Sequence, residues 1–155
     1  MVNAYFLDSS ALVKRYVPET GTNWILSITD PTNGNYLAIA QITWVEVLSA
    51  LSRRQREGSI SGDRFDLTLE DFRQDFESLY QIIEIDQVLI ERAGQLVVQY
   101  SLRAYDAIQL ASAFSMQSSL LKIPNTQLVF VSADERLIDI VQNEGLVTEN
   151  PNNYV

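Results

Sequence analysis

Five short apolar runs alternate with longer stretches of helical spacing along this chain, and that alternation restricts the architectures open to it. Residues 3–7, 36–40, 81–85, 127–131 and 146–148 read as strands. Residues 10–17, 22–29, 42–57, 61–80, 88–100, 104–119 and 134–143 read as helices, with Pro18, Gly58 and Gly145 as stop signals and turn chemistry over 30–35. Strands this apolar, separated by helices, need a parallel sheet covered on both faces. The expected fold is α/β: one domain over residues 1–155, with a parallel sheet of about five strands and helices on both sides.

In such sheets a ligand binds beyond the carboxyl ends of the strands. Asp8 stands just past the first strand and Asp134 just past the fourth, each beside hydroxyls: Asp8-Ser9-Ser10 and Ser132-Ala133-Asp134. Either acid could instead cap the following helix, a role that Asp and Ser share. Two more acids stand out. Asp106 lies on a stripe with Leu110 and Ala113, a costly place for a carboxylate unless Arg103 pairs with it. Glu46 points away from the apolar face formed by Trp44, Val47, Leu48 and Leu51, as a solvated residue would. Four acids gathered at one sheet edge would repel one another, and a divalent cation resolves that conflict.

The chain has no histidine and no cysteine. That excludes a Ser-His-Asp triad, thiolate chemistry and the usual zinc sites. A metal here must be held by oxygen, which points to Mg²⁺ or Mn²⁺. The net charge of −9 argues at first against nucleic acid, but it is regional. Residues 63–91 hold nine acids against Arg64 and Arg73, leaving the rest nearly neutral, with basic clusters at Lys14-Arg15 and Arg53-Arg54. No apolar run approaches the roughly 20 residues that span a bilayer, and no leader pattern opens the chain, so a cytoplasmic protein without a membrane role is expected.

Four blocks together resemble a known family. "FLDSSALVKRYVPETG", "TWVEVLSALSRRQREG", "LRAYDAIQLASA" and "VFVSADERLIDIVQNEGL" are similar, in order and over nearly the whole chain, to the PIN domain and to its VapC-type toxins. The resemblance implies a Mg²⁺- or Mn²⁺-dependent ribonuclease site at Asp8, Glu46, Asp106 and Asp134. It also implies an antitoxin partner whose C-terminal segment covers the site, and a homodimer. Relatives often carry Thr where Ser9 or Ser132 stands, which keeps the hydroxyl.

On this reading Asp8 and Asp106 ligate the metal directly, with Glu46 and Asp134 next. Ser10 and Ser132 hold carboxylates or water, and Lys14, Arg15, Arg53 and Arg54 are candidate phosphate contacts. Two alternatives stay open: a PIN-like nuclease acting on DNA, and a receiver-like signalling module. The second would need Asp86 as its phosphorylated acid and a lysine beyond the fifth strand, where none follows Lys122.

Overall fold

The computed structural model describes all 155 residues. Five strands, β1 (Val2–Leu7), β2 (Tyr36–Ala40), β3 (Gln81–Ile83), β4 (Thr126–Val131) and β5 (Val147–Glu149), form one parallel sheet in the order β3-β2-β1-β4-β5. Seven helices connect or flank them: α1 (Ser9–Tyr16), α2 (Thr22–Thr29), α3 (Thr43–Arg56), α4 (Gly62–Ser78), α5 (Gln87–Gln99), α6 (Ala104–Leu120) and α7 (Glu135–Asn143). The strand order reverses direction at β1, which pairs with β2 on one side and β4 on the other. A ligand crevice is expected outside the carboxyl ends of those central strands.

Strand periodicity divides the core into two layers. Ala4, Phe6, Ala38, Ala40, Leu128 and Phe130 face one side, packed with Leu89, Leu96, Ala107, Leu110 and Leu137 of α5, α6 and α7. Tyr5, Leu7, Leu37, Ile39, Val129 and Val131 face the other, against Leu12, Ile25, Val47, Leu51 and Phe72 of α1 to α4. The first layer is rich in alanine on both the sheet and α6, so that helix lies close to the strands. Phe6 and Phe130, neighbours in register, stack 5.4 Å apart and fill the rest.

The element boundaries follow local chemistry. Strand β3 ends at Ile83, short of the expected residue 85, because its only partner, β2, ends at Ala40 opposite it. Past that point the Ile85 N–H turns to the Gln41 side chain. Helices α1 and α7 begin one residue after Asp8 and Asp134, whose carboxylates accept from Ala11 N–H and from Arg136 and Leu137 N–H.

Gly21, between α1 and α2, has φ +88°, and a Cβ there would sit on the Pro151 carbonyl. Left-handed strain alone costs an ordinary residue roughly 1–2 kcal/mol, and the clash adds to it. Gly21→Ala should therefore destabilise the protein by at least about 2 kcal/mol in urea unfolding, whereas Gly58→Ala, with φ +80° but open space around it, should lose only the strain component.

Candidate active site

The carboxyl ends of β1 and β4 open onto a cleft of about 450 Å³ lined by Asp8, Glu46, Asp106 and Asp134 together. Each acid sits at the start of a different helix: Asp8 and Asp134 as the N-caps of α1 and α7, Glu46 and Asp106 in the first turns of α3 and α6. Helix N-termini carry partial positive charge, which favours anions there. Four acids on four such ends are placed by the fold's connectivity, not by one local motif.

Asp8 is almost fully buried, and burial pushes its carboxyl up to about 6 against the pull of Ser132, Ser10 and the Ala11 N–H. The Ser10 hydroxyl donates to Asp8 Oδ1 at 2.7 Å and accepts from Ala133 N–H at 2.9 Å, tying the exits of β1 and β4 together. Ser132, fully buried, accepts from Asp134 N–H at 3.0 Å and lies 3.4 Å from the Ser10 hydroxyl. Both serines thus orient the acids beside them.

Glu46 is half-buried rather than solvated. Gln109, three residues beyond Asp106 on α6, donates to Glu46 Oε1 at 2.7 Å and to Thr43 Oγ1 at 2.9 Å. This leaves Gln109 Oε1 buried without a partner, a cost accepted for holding Glu46 in place. Burial raises the Glu46 carboxyl above its ordinary value, opposed by Gln109 and Ser9 and reinforced by Asp106. Burial also raises Asp106, opposed by Arg103 and reinforced by Asp134. Repulsion therefore links the acids in series, from Asp134 to Asp106 to Glu46 to Asp8.

The four acids ring the cleft rather than close into a cage, and no three carboxylates stand together as a preformed metal-binding group. The cation among them is Arg103, 79% exposed, whose Nε lies 3.3 Å from Asp106 and whose Nη2 lies 3.8 Å from Asp134. The Arg103 pairing that the sequence leaves open is present, but its guanidinium is exposed to solvent, which limits its worth. It reaches Glu46 only by longer-range attraction and leaves Asp8 with no cation beside it. An all-oxygen donor set with surplus negative charge suits a hard divalent ion.

The candidate phosphate contacts divide. Lys14, Arg53 and Arg54 line the cleft. Arg15 does not: its guanidinium is tied to Asp75 (3.2 Å) and Thr29 (2.9 Å), next to the pair of hydroxyls Tyr16 and Tyr80, 2.6 Å apart. Arg15 is thus a brace between α1 and α4, because the α1 turn carries it to the opposite flank from Lys14. None of the nine acids of residues 63–91 lines the cleft. Asp86 caps α5 through Leu89 N–H and lies outside the cleft, which removes the acid that a receiver-like module would use. Glu19, Tyr105 and Gln109 were not singled out from sequence; the first two line the cleft and the third supports it. No helix is long and apolar enough to cross a membrane.

Comparison with known proteins agrees with this geometry. The family described as the PIN domain matches residues 5–142. Ribonuclease VapC45 of Mycobacterium tuberculosis (strain CDC 1551 / Oshkosh) is 26% identical over 111 residues, covering 72% of this chain and 75% of that protein. Among solved structures, VapBC2 from Rickettsia felis bound to a DNA fragment from its promoter matches with a TM-score of 0.63 at 17% identity, covering 95% of this chain and 98% of that one. A toxin–antitoxin complex from Klebsiella pneumoniae matches with a TM-score of 0.65 at 20% identity, covering 96% and 98%. At such identities the two structures establish a shared fold.

Proposed function

The chain belongs to the PIN domain family, and from that premise we propose that it is a Mg²⁺- or Mn²⁺-dependent endoribonuclease, the toxin of a toxin–antitoxin pair. The observation that carries this reading is the series of mutually repelling carboxylates on four helix N-termini around one cleft. The relative named a ribonuclease supports the reaction, and the toxin–antitoxin complexes of the same fold support an antitoxin partner. A homodimer and a cytoplasmic site of action fit that role.

Asp8 and Asp106 are the proposed direct ligands. Glu46 and Asp134 ligate directly, through water, or by holding a second ion. When bound, the ion supplies Lewis-acid chemistry: it acidifies water and neutralises charge on phosphate. The chain's own residues do the rest. Ser10 and Ser132 fix the Asp8 carboxylate, Gln109 fixes Glu46, and Arg53, Arg54 and Lys14 receive the RNA backbone.

A purified preparation should cleave single-stranded RNA with Mg²⁺ or Mn²⁺ and stop on addition of EDTA. Ca²⁺ should bind yet support little turnover, since its looser coordination positions water less well. Preferential cleavage of DNA would move the reading to the DNA nuclease alternative. Charge replacements locate the substrate face. Arg53→Ala should weaken RNA binding and flatten its salt dependence by about 0.7 in the log–log slope, the value for one phosphate contact on a single strand. Arg15→Ala should leave binding unchanged and lower stability instead, because its charge is spent on Asp75.

A further inference from the structure

The basic end of the cleft already contains a carboxylate. Glu19, in the loop between α1 and α2, places one oxygen on each of two cations: Oε1 lies 3.2 Å from Lys14 Nζ and Oε2 lies 3.1 Å from Arg54 Nη2. Lys14 is nearly buried and also donates to the Thr20 carbonyl at 2.8 Å, while Arg54 donates to the Ala50 carbonyl at 3.3 Å. The Glu19 N–H donates to Thr22 Oγ1, whose own hydroxyl donates to the Lys14 carbonyl, so the loop is stapled onto α1. All three charged groups line the same cleft as the four acids. Arg53, beside them in the cleft, has no carboxylate partner.

From this arrangement we propose that Glu19 is a resident stand-in for a substrate phosphate, holding the Lys14–Arg54 seat until an RNA phosphodiester displaces it. Two oxygens of a planar carboxylate, one per cation, occupy the positions that the two non-bridging oxygens of a phosphodiester would take. A phosphate carries the same single charge and needs the same donors. Binding RNA at this seat therefore exchanges one anion for another, and the net gain is smaller than two free cations would provide. Glu19 thereby limits affinity for nucleic acid, while keeping a nearly buried lysine paired in the free protein. The proposal rests on the reading of the cleft as the RNA site.

The test measures binding of a short labelled single-stranded RNA in EDTA, which prevents cleavage, across a series of salt concentrations. Glu19→Gln should bind about three- to tenfold tighter at low salt, with a slope steeper by about 0.7–1.4 as one or two cations are freed. Adding Arg54→Ala to Glu19→Gln should remove most of that gain. A readout that does not depend on Glu19→Gln folding compares single variants: Arg54→Ala should cost less affinity than Arg53→Ala, since Arg54 must first leave Glu19. Glu19→Gln that binds equally or more weakly, or Arg54→Ala that costs more than Arg53→Ala, makes Glu19 a rigid brace and overturns the proposal. If Arg53→Ala also leaves binding unchanged, the cleft itself is not the RNA site and both readings fall; if Arg53→Ala weakens binding, only the role of Glu19 is lost.

Discussion

Asp106→Asn protein, purified free of host nucleases, should cleave RNA at least about a hundred- to a thousandfold more slowly than the parent. The size follows from what the residue is asked to supply. A metal that polarises phosphate and acidifies water contributes several kcal/mol to the barrier, and each 1.4 kcal/mol is tenfold in rate. Asn keeps the shape of the side chain and can still accept from Arg103, so the fold should survive. The charge proposed to hold a divalent ion is lost. Asp8→Asn should behave alike. Titration with Mn²⁺ gives a second measure, since both variants should bind the ion far more weakly than the parent. Undiminished cleavage and unchanged Mn²⁺ affinity in Asp106→Asn would remove that acid from the site.

The second large effect is on stability and carries the opposite sign to most buried substitutions. Asp8 is raised from 3.8 to about 6 in the folded chain, chiefly by burial. It therefore holds its proton more tightly folded than unfolded. The Asp8 contribution to metal-free stability should be fully present below the unfolded value and be lost as pH rises through about 6. Two pK units correspond to roughly 3 kcal/mol once Asp8 is ionised. Asp8→Asn removes that penalty, and Asn caps a helix about as well as Asp. At pH 8 and in EDTA the variant should melt about 6–12 °C above the parent, at roughly 2–4 °C per kcal/mol for a chain of this size. Near pH 4 the two should converge. Mg²⁺ should raise the parent's melting temperature at pH 8 and leave the variant's nearly unmoved. A variant that melts well below the parent, with no Mg²⁺ effect on either, would make Asp8 purely a helix cap.

Asp8 shows why parts of this site are legible in sequence and parts are not. Its position after an apolar run places it at the sheet edge, and the same logic places Asp134. Capping and cleft-lining proved compatible, since each carboxylate accepts from its helix and still lines the cleft. Glu46 was harder. A helical wheel knows only its own helix, and the side chain that holds Glu46, Gln109, lies 63 residues away. The same blindness affects the cations: Lys14 and Arg15 are neighbours in sequence, yet one lines the cleft and the other braces α4. Glu19 lies in a Pro-Glu-Thr-Gly loop that reads as a turn, and only the packing of α1 against α3 reveals what it holds. Strand β3 ran short for a similar reason, since the end of its partner strand is a tertiary fact.

The alanine-rich layer between the sheet and α6 gives the cleft a mechanical dependence on residues that never reach it. Ala38 and Ala40 on β2 and Ala107 and Ala111 on α6 belong to one buried cluster, and the helix they seat carries Asp106 at its start and Gln109 one turn on. Methyl groups thus act as the spacers that set how far one wall of the cleft stands from the others. An added branch at any of them would move that wall by about an ångström, and a shift of that size can cost on the order of a hundredfold in rate. Mg²⁺ is demanding in the same way, wanting oxygens at about 2.0–2.1 Å. The tolerances of the cleft are therefore set inside the dry interior, by the smallest side chains that can still fill it.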